Sequence, residues 1–134
     1  MPSTDPLADM LGAVVNASRA KLDTARVPDS RFKQAVLKVL QAEGFIRSFR
    51  SLERKGAGGR ILEIQVWYGP KGEKLINGVQ HISTPGKRVY VSLADLKPYL
   101  RRIETVLLST PQGILTGPQA FARRVGGELL CMVW

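Results

Sequence analysis

The chain has 134 residues, and its 20 lysine and arginine residues against 11 acidic ones give a formal net charge of +9 at neutral pH. In a protein of one compact unit or two small lobes, this excess predicts a polyanionic partner, either a nucleic acid or an anionic membrane surface, with a merely soluble basic surface as the alternative. The sequence has no apolar run long enough for a membrane span, no secretory signal at its start, and a single cysteine, Cys131, which excludes a disulfide framework and predicts a reducing compartment.

The first predicted elements are a helix and a short strand. Asp5 followed by Pro6 is typical of a helix start, and apolar residues at helical spacing extend the helix to about Ser18. Residues 24–28, TARVP, then predict a strand that ends at its proline.

A second helix follows directly. Either Asp29 or Ser30 is predicted to cap its start, and Gly44 is predicted to stop it. The apolar stripe predicted for this helix comprises Phe32, Ala35, Val36, Val39 and Leu40.

Two strands complete the first half. They are predicted at residues 45–53 and 61–68, and in the second of them Leu62 and Ile64 alternate with the polar Glu63. The connection between them, RKGAGG at residues 54–59, is predicted to be a flexible basic loop that includes Arg54, Lys55 and, just after it, Arg60. It is not a phosphate-binding loop of the Gly-Lys-Ser/Thr type, because that pattern is missing.

The pattern of predicted elements changes at residues 69–72, Gly-Pro-Lys-Gly. Helices alternate with strands before this segment, whereas the strands after it are short and separated by frequent turns. We therefore expect an α+β protein of two small lobes, an α/β lobe at 1–68 and a mainly β lobe at 69–134. In the second lobe a helix is predicted from Pro118 to about Val125, with Arg123 and Arg124 in its last turn. The other predicted elements of this lobe are short segments. These segments are 74–83, 87–92, 94–102, 105–109, 113–115 and a last strand at 127–134.

The sequence contains no arrangement typical of an enzyme. His81 is the only histidine and has no nucleophile or acid at a spacing that would orient it, and Cys131 lies in an apolar strand. Neither a metal-ligand cluster nor a pair of carboxylates is evident. We therefore predict no catalytic residue, no metal and no cofactor.

Two Ser-Thr-Pro turns are the most informative local features. In Thr110-Pro111-Gln112-Gly113, proline suits the second turn position and glycine the fourth, and in residues 84–87 a Pro-Gly pair suits a type II turn. Each turn would hold a Ser-Thr pair rigidly, so that hydroxyl groups and free amides could bind ribose, base edges or phosphate. The alternative is that both turns only connect strands. The flanking Lys87 and Arg88 are predicted to contact phosphates.

Several separated motifs resemble one known family in the right order. They are residues 5–11 with Asn16, residues 27–46, STPGKRVY at 83–90, LLSTPQGILTG at 107–117 and VGGELLCMVW at 125–134. Over nearly its full length the chain is similar to the bacterial-type family of small-subunit ribosomal protein eight.

The resemblance implies a fold and a function. The fold would have an N-terminal α/β lobe and a mainly β C-terminal lobe. The protein would bind the central domain of small-subunit rRNA, support its assembly beside neighbouring small-subunit proteins, and could repress its own operon. RNA-binding residues implied by the family positions are Asp5, Ser30, Lys33, Tyr90, Ser109, Thr110, Gly113, Gly126, Gly127 and Glu128, and Gln112 lies in the same turn.

The sequence departs from the family pattern at three places. Residues 12–16 read Gly-Ala-Val-Val-Asn where the family usually has Thr-Arg-Ile-Arg-Asn, residues 91–93 replace a common Lys-Arg-Lys, and Gln112 replaces a common basic residue. These losses suit a specialised ribosome and slightly favour a mitochondrial matrix over a bacterial cytoplasm. The alternative function is a protein-interaction scaffold in an organellar ribosome with reduced RNA contact, and an RNA-modifying enzyme comes third.

The segment 126–128 carries three further expectations. Glu128 would accept hydrogen bonds from RNA or from a neighbouring arginine, and a salt bridge to Arg123 or Arg124 is the structural alternative. Gly126 is predicted to end the last helix in a left-handed conformation, and Gly127 to allow close backbone approach to RNA.

Overall fold

The computed structural model describes residues 5–54, 56 and 58–134. Its helices and antiparallel sheets confirm the predicted α+β class. Contacts divide the chain into two compact units, Pro6–Asn77 and Gly78–Trp134, with Asp5 grouped with the latter. Lys55 of the predicted basic loop lies outside the described residues. Within those described, no helix is long and apolar enough to cross a membrane.

The N-terminal unit is a three-stranded antiparallel sheet with two helices. In chain order its elements are α1 Pro6–Arg19, β1 Thr24–Pro28, α2 Arg31–Ala42, β2 Ile46–Glu53 and β3 Arg60–Val66. The strand order is β1-β3-β2, so the last strand lies in the centre. Leu62 and Ile64 of β3 are fully buried, as their alternation predicted.

The buried face of α2 differs from the predicted one. Ser30 is the N-cap, as expected, and its hydroxyl accepts a hydrogen bond from the Lys33 amide at 3.1 Å. The predicted apolar stripe is confirmed at Val36 and Leu40, which are fully buried, but it is wrong at Phe32, which is 42% exposed whereas Lys33 is only 7% exposed. The helix is rotated so that the residues at 33, 36, 37 and 40 face the sheet. The sequence permitted both stripes because helical spacing also links these four positions, and the lysine stem can be buried while its ammonium binds the Pro28 carbonyl at 2.8 Å.

The C-terminal unit is a five-stranded antiparallel sheet with two short helices. Its elements are β4 Val79–His81, β5 Tyr90–Val91, α3 Leu93–Leu100, β6 Thr105–Thr110, β7 Gly113–Thr116, α4 Gly117–Ala122 and β8 Gly127–Val133. The strands follow the order β4-β8-β6-β7, and β5 also pairs with β8. Leu96 of α3, Ala120 of α4 and the inward-facing residues Leu108, Leu115 and Leu129 of the sheet form its core.

The last helix is shorter than predicted. It ends at Ala122, so that Arg123 is the C-cap and Arg124 follows the helix with φ +56°. The Arg124 amide donates to the Phe121 carbonyl at 3.1 Å and the Val125 amide to the Ala120 carbonyl at 3.0 Å, which is the Schellman pattern with Arg124 in the left-handed position. Gly126 therefore does not end the helix, and its predicted left-handed conformation is wrong. A strand predicted over 74–83 is likewise confined to Val79–His81.

Candidate RNA-binding surface

The hairpin between β6 and β7 holds the first candidate residues. Thr110 pairs with Gly113 across the turn, and Gly113 has φ +106°, a conformation that favours glycine. The Thr110 hydroxyl accepts a hydrogen bond from the Gln112 amide at 3.1 Å and donates one to the Gly113 carbonyl at 2.8 Å. This hydroxyl therefore stabilises the turn itself and keeps only one acceptor lone pair for a ligand. Pro111 and Gln112 at the tip are exposed.

Ser109, one residue earlier, differs from Thr110. Its side chain is half-buried, and within the described part of the chain its hydroxyl has no hydrogen-bond partner. Because its strand neighbour Leu108 is fully buried in the core, Ser109 faces the opposite side of the sheet. This hydroxyl therefore lies on the face opposite Leu108, and no bond within the described residues uses its donor or its two lone pairs.

Ser109 belongs to a row of four residues that crosses four strands. Tyr90 of β5 pairs with Glu128 of β8, Glu128 pairs with Ser109 of β6, and Ser109 pairs with Ile114 of β7. Directly paired residues project from the same face of a sheet. We call Tyr90, Glu128, Ser109 and Ile114 the outer row. Its composition is an aromatic ring, a carboxylate, a hydroxyl and an apolar side chain.

The outer row is exposed at one end, and the carboxylate near its centre is held by an ion pair. Tyr90 is 70% exposed, whereas the Glu128 side chain is only 15% exposed. Glu128 accepts a hydrogen bond from Arg88, with Nη1 3.1 Å from Oε2. The partner of Glu128 is thus Arg88, and the alternative salt bridge to Arg123 or Arg124 is wrong. Arg88 retains most of its guanidinium donors for an anion, because its side chain is 53% exposed.

The two glycines before Glu128 are fixed by backbone packing. A Cβ on Gly126 would lie 2.3 Å from the Val91 carbonyl oxygen, and a Cβ on Gly127 would lie 2.2 Å from the Ser109 carbonyl oxygen. Both distances are far below any real Cβ contact, and neither glycine has a positive φ. Their absent side chains let β8 approach its two neighbours, which sets the position of Glu128. Gly127 was expected to allow close backbone approach to RNA, and the backbone that it approaches closely in the structure is that of Ser109 in β6.

The second Ser-Thr-Pro turn is built differently. Thr84 and Lys87 exchange backbone hydrogen bonds of 3.0 Å, but Gly86 has no positive φ, so the predicted type II turn is wrong. The Ser83 hydroxyl accepts a bond from the Val89 amide at 2.8 Å and is buried. This serine therefore serves the turn. Lys87 is exposed beside it.

The remaining candidates belong to other elements of the chain. Ser30 is exposed at the start of α2, while the ammonium of Lys33 is occupied by the Pro28 carbonyl. Asp5 directly precedes α1. The structure thus brings together Arg88, Tyr90, the β6–β7 turn and the segment 126–128 within the C-terminal unit. Lys87 directly precedes Arg88, whereas Ser30 and Lys33 belong to the N-terminal unit.

Sequence reasoning missed Ile114 and a charged group in the N-terminal unit. Ile114 could have been found from the hairpin register, since a two-residue turn places it opposite Ser109. In the N-terminal unit Glu63 binds both Arg26 and Arg50. The alternation along β3 already pointed Glu63 away from the core, but no pattern in the sequence gave its partners.

The described residues offer no reactive centre. They contain no group of three or more metal-ligating side chains. Burial raises the pKa of Cys131 to about 12, so its thiol is protonated and a poor nucleophile near neutral pH. His81 pairs with Cys131 in the sheet, and no side chain among the described residues orients it as a base.

A profile of the ribosomal protein S8 family matches residues 5–134. The chain belongs to the ribosomal protein S8 family. Small ribosomal subunit protein uS8 of Treponema pallidum (strain Nichols) is 41% identical over 134 residues and covers 100% of both chains. That of Thermus aquaticus is 41% identical over 138 residues, covering 98% of this chain and 99% of its own. That of a Parafrankia species (strain EAN1pec) is 44% identical over 135 residues, covering 100% of both chains.

Membership of the ribosomal protein S8 family confirms the resemblance noted in the sequence. The family is structural and non-enzymatic, in agreement with the lack of a catalytic arrangement in the sequence. Residues 125–134, which carried much of the resemblance, form β8 and its approach, and they include both glycines and the carboxylate of the outer row.

Proposed function

We propose that the chain is a structural constituent of the small ribosomal subunit that binds the central domain of small-subunit rRNA through its C-terminal unit and supports assembly of that domain. The observation that carries the proposal is the outer row with Arg88 beside it. An exposed aromatic ring, a hydroxyl that has no partner among the described residues and a guanidinium bound by Glu128 lie together on the antiparallel sheet.

Each of these groups suits irregular RNA. Tyr90 can stack on an unpaired base, whose face is open, whereas the bases of a regular duplex are already stacked on one another. The Ser109 hydroxyl can exchange hydrogen bonds with a ribose 2′-OH or a base edge. Arg88 can contact a phosphate while Glu128 holds it, and Lys87 adds a second charge nearby.

Shape rather than duplex sequence would provide specificity. Side chains cannot read the narrow major groove of A-form RNA, whereas the minor groove and unpaired bases are accessible. The glycines at 126 and 127 keep β8 in position, so that Glu128 and Ser109 are held before RNA arrives. Contacts by Asp5, Ser30 and Lys33 stay a prediction.

The setting that we propose is a bacterial ribosome, with neighbouring small-subunit proteins as further partners. The relatives named above are bacterial and support a bacterial cytoplasm. None of them supports the slight preference for a mitochondrial matrix that the lost basic residues suggested.

The test is equilibrium binding to a transcript of the central domain of Thermus aquaticus small-subunit rRNA. A transcript of equal length from another domain of the same rRNA is the control. We expect at least tenfold preference for the central domain and a steep loss of affinity with added salt, because phosphate contacts release counterions. Equal, weak binding of both transcripts would instead support the protein-interaction scaffold.

A further inference from the structure

The sheet of the N-terminal unit has one face that its helices do not cover. Leu62 and Ile64 point from β3 towards the helices and are fully buried. Glu63 points the other way, together with its register partners Arg26 on β1 and Arg50 on β2. We call these three residues the arginine row. It crosses the whole sheet, since β3 is the central strand.

The arginine row is joined by one carboxylate. Arg26 Nη2 lies 2.8 Å from Glu63 Oε2, and Arg50 Nη2 lies 2.9 Å from Glu63 Oε1. Arg50 Nε donates a further hydrogen bond of 3.0 Å to the same oxygen. The Glu63 side chain is 7% exposed, whereas each arginine side chain is 66% exposed. Two guanidinium groups are thus anchored on the inner side and open to solvent on the outer side.

The ion bridge leaves this face positively charged. Glu63 neutralises only one of the two arginines, and both retain donors that the carboxylate does not use. Arg54 adds a third cation, because it lines a cleft of about 180 Å³ together with Arg26 and Ile61. Beside the row, the Ser48 hydroxyl is hydrogen-bonded to Gln65 at 3.1 Å, which makes the neighbouring surface polar.

An RNA backbone suits this face better than a protein surface. The centre of a protein interface usually combines arginine with a large apolar or aromatic anchor, and no residue within the three strands provides an exposed apolar or aromatic anchor. The exposed large apolar side chains of this unit in the described residues, Leu22, Phe32 and Trp67, all lie outside these strands. A phosphodiester backbone needs no such anchor, only planar donors in excess of carboxylates.

We propose that the arginine row is a second RNA-binding site, at which Arg26 and Arg50 contact phosphates of the RNA backbone. The site rests on the proposed function, because it is a further contact with the same RNA. It places an RNA contact in the N-terminal unit that is independent of Ser109 and Tyr90.

The first test compares two variants of equal net charge. Removal of the arginines alone would leave Glu63 without a partner, so the test variant is Arg26→Gln, Arg50→Gln, Glu63→Gln, which lowers the net charge by one. Lys38→Gln, on the exposed side of α2, lowers it by the same amount and is the control. Circular dichroism and thermal melting show first whether both variants are folded.

Binding is measured with the same central-domain transcript over a series of salt concentrations. Two lost phosphate contacts should lower the magnitude of the log–log salt slope by about 1.4–1.8 and the affinity at low salt by roughly tenfold or more. Lys38→Gln should stay within about twofold of the unmodified protein. A triple variant with the slope and affinity of Lys38→Gln would overturn the proposal.

A second test uses the unmodified protein and therefore does not depend on the folding of a variant. Phenylglyoxal modifies accessible arginines, and mass spectrometry locates the modified residues. Bound RNA should protect Arg26 and Arg50, while Arg19, exposed at the end of α1, stays reactive.

The outcomes separate the two proposals. If the transcript binds and Ser109→Ala weakens it, yet Arg26 and Arg50 stay reactive, the second site is wrong and the proposed function stands. Protection that appears only when other small-subunit proteins are added assigns the face to a protein and also overturns the site. If the transcript does not bind at all, both proposals fail.

Discussion

Replacing Ser109 and Thr110 separately should divide RNA binding from folding. Both hydroxyls lie beside the same turn, but only that of Thr110 is hydrogen-bonded within it, to the Gln112 amide and the Gly113 carbonyl. Ser109 has no such bond in the described residues, and it faces outward beside Glu128. The two variants Ser109→Ala and Thr110→Val therefore remove a hydroxyl of the same chemistry from two different environments.

The expected magnitudes follow from these contacts. Ser109→Ala should lower RNA affinity by about 1 kcal/mol, roughly fivefold, because one hydrogen bond is lost, and should change the free energy of unfolding by less than about 0.5 kcal/mol. Thr110→Val keeps the volume but removes two hydrogen bonds of the turn, which should lower stability by about 1–2 kcal/mol. Its effect on affinity should be the smaller one once folding is complete.

The assay is fluorescence anisotropy with the labelled central-domain transcript, beside thermal unfolding of the same preparations. Each variant serves as the control for the other. Unchanged affinity of Ser109→Ala together with a loss of stability as large as that of Thr110→Val would refute the reasoning, since both hydroxyls would then only support the hairpin.

Three further predictions use other contacts. Gly126→Ala should destabilise the protein by about 2 kcal/mol or more in thermal melts, because its Cβ would lie 2.3 Å from the Val91 carbonyl oxygen, whereas Gly86→Ala, with open space around it, should stay within about 0.5 kcal/mol. Arg124→Gly should not lower the melting temperature, because φ +56° suits glycine better; a clear loss would show that the arginine side chain is needed. Arg50 and Arg26 lower the pKa of Glu63, so the stability contributed by this carboxylate is present above the ordinary glutamate pKa and is lost as pH falls through the lowered value. Below about pH 4.3, the ordinary glutamate pKa, the melting temperature of the unmodified protein should therefore fall further than that of the Arg26→Gln, Arg50→Gln, Glu63→Gln variant. A difference between the two melting temperatures that does not change with pH would contradict this prediction.

Local signals in the sequence predicted most of the elements. The cap at Ser30, the strand at residues 24–28 and the β6–β7 hairpin each depend on neighbouring residues, and all three are present. Such features are encoded by side chains that interact within a few positions of one another. Fold class therefore followed from patterning together with the family resemblance.

The errors concern choices between equivalent local patterns. Both possible stripes on α2 have helical spacing, and only packing against the sheet decides that Lys33 is buried and Phe32 exposed. Gly126 was assigned to the helix end because glycine usually takes the left-handed position. Arg124 takes it instead, and the glycine is needed where β8 passes the Val91 carbonyl, a contact between residues distant in sequence.

The candidate site was predictable by residue type but not by partner. The family positions supplied Ser109, Tyr90 and Glu128, yet their alignment in one row depends on the pairing of β5, β8 and β6. The same holds for the bond from Arg88 to Glu128, which joins residues 40 positions apart. The arginine row was missed for this reason as well, because its members come from three strands.

A buried or half-buried carboxylate has the same effect in both units. Glu128 fixes Arg88 and Glu63 fixes two arginines, while each guanidinium keeps an open outer side. An arginine side chain that has no partner loses rotamer entropy when it binds a phosphate. An arginine that is already bound to a carboxylate has fewer rotamers to lose, so its entropy loss on binding is smaller. Phosphate affinity in this chain should therefore depend on which cations are anchored as well as on the total charge of +9. It follows that an exposed lysine such as Lys38 should contribute less to RNA binding than Arg26 or Arg50, although each carries one charge.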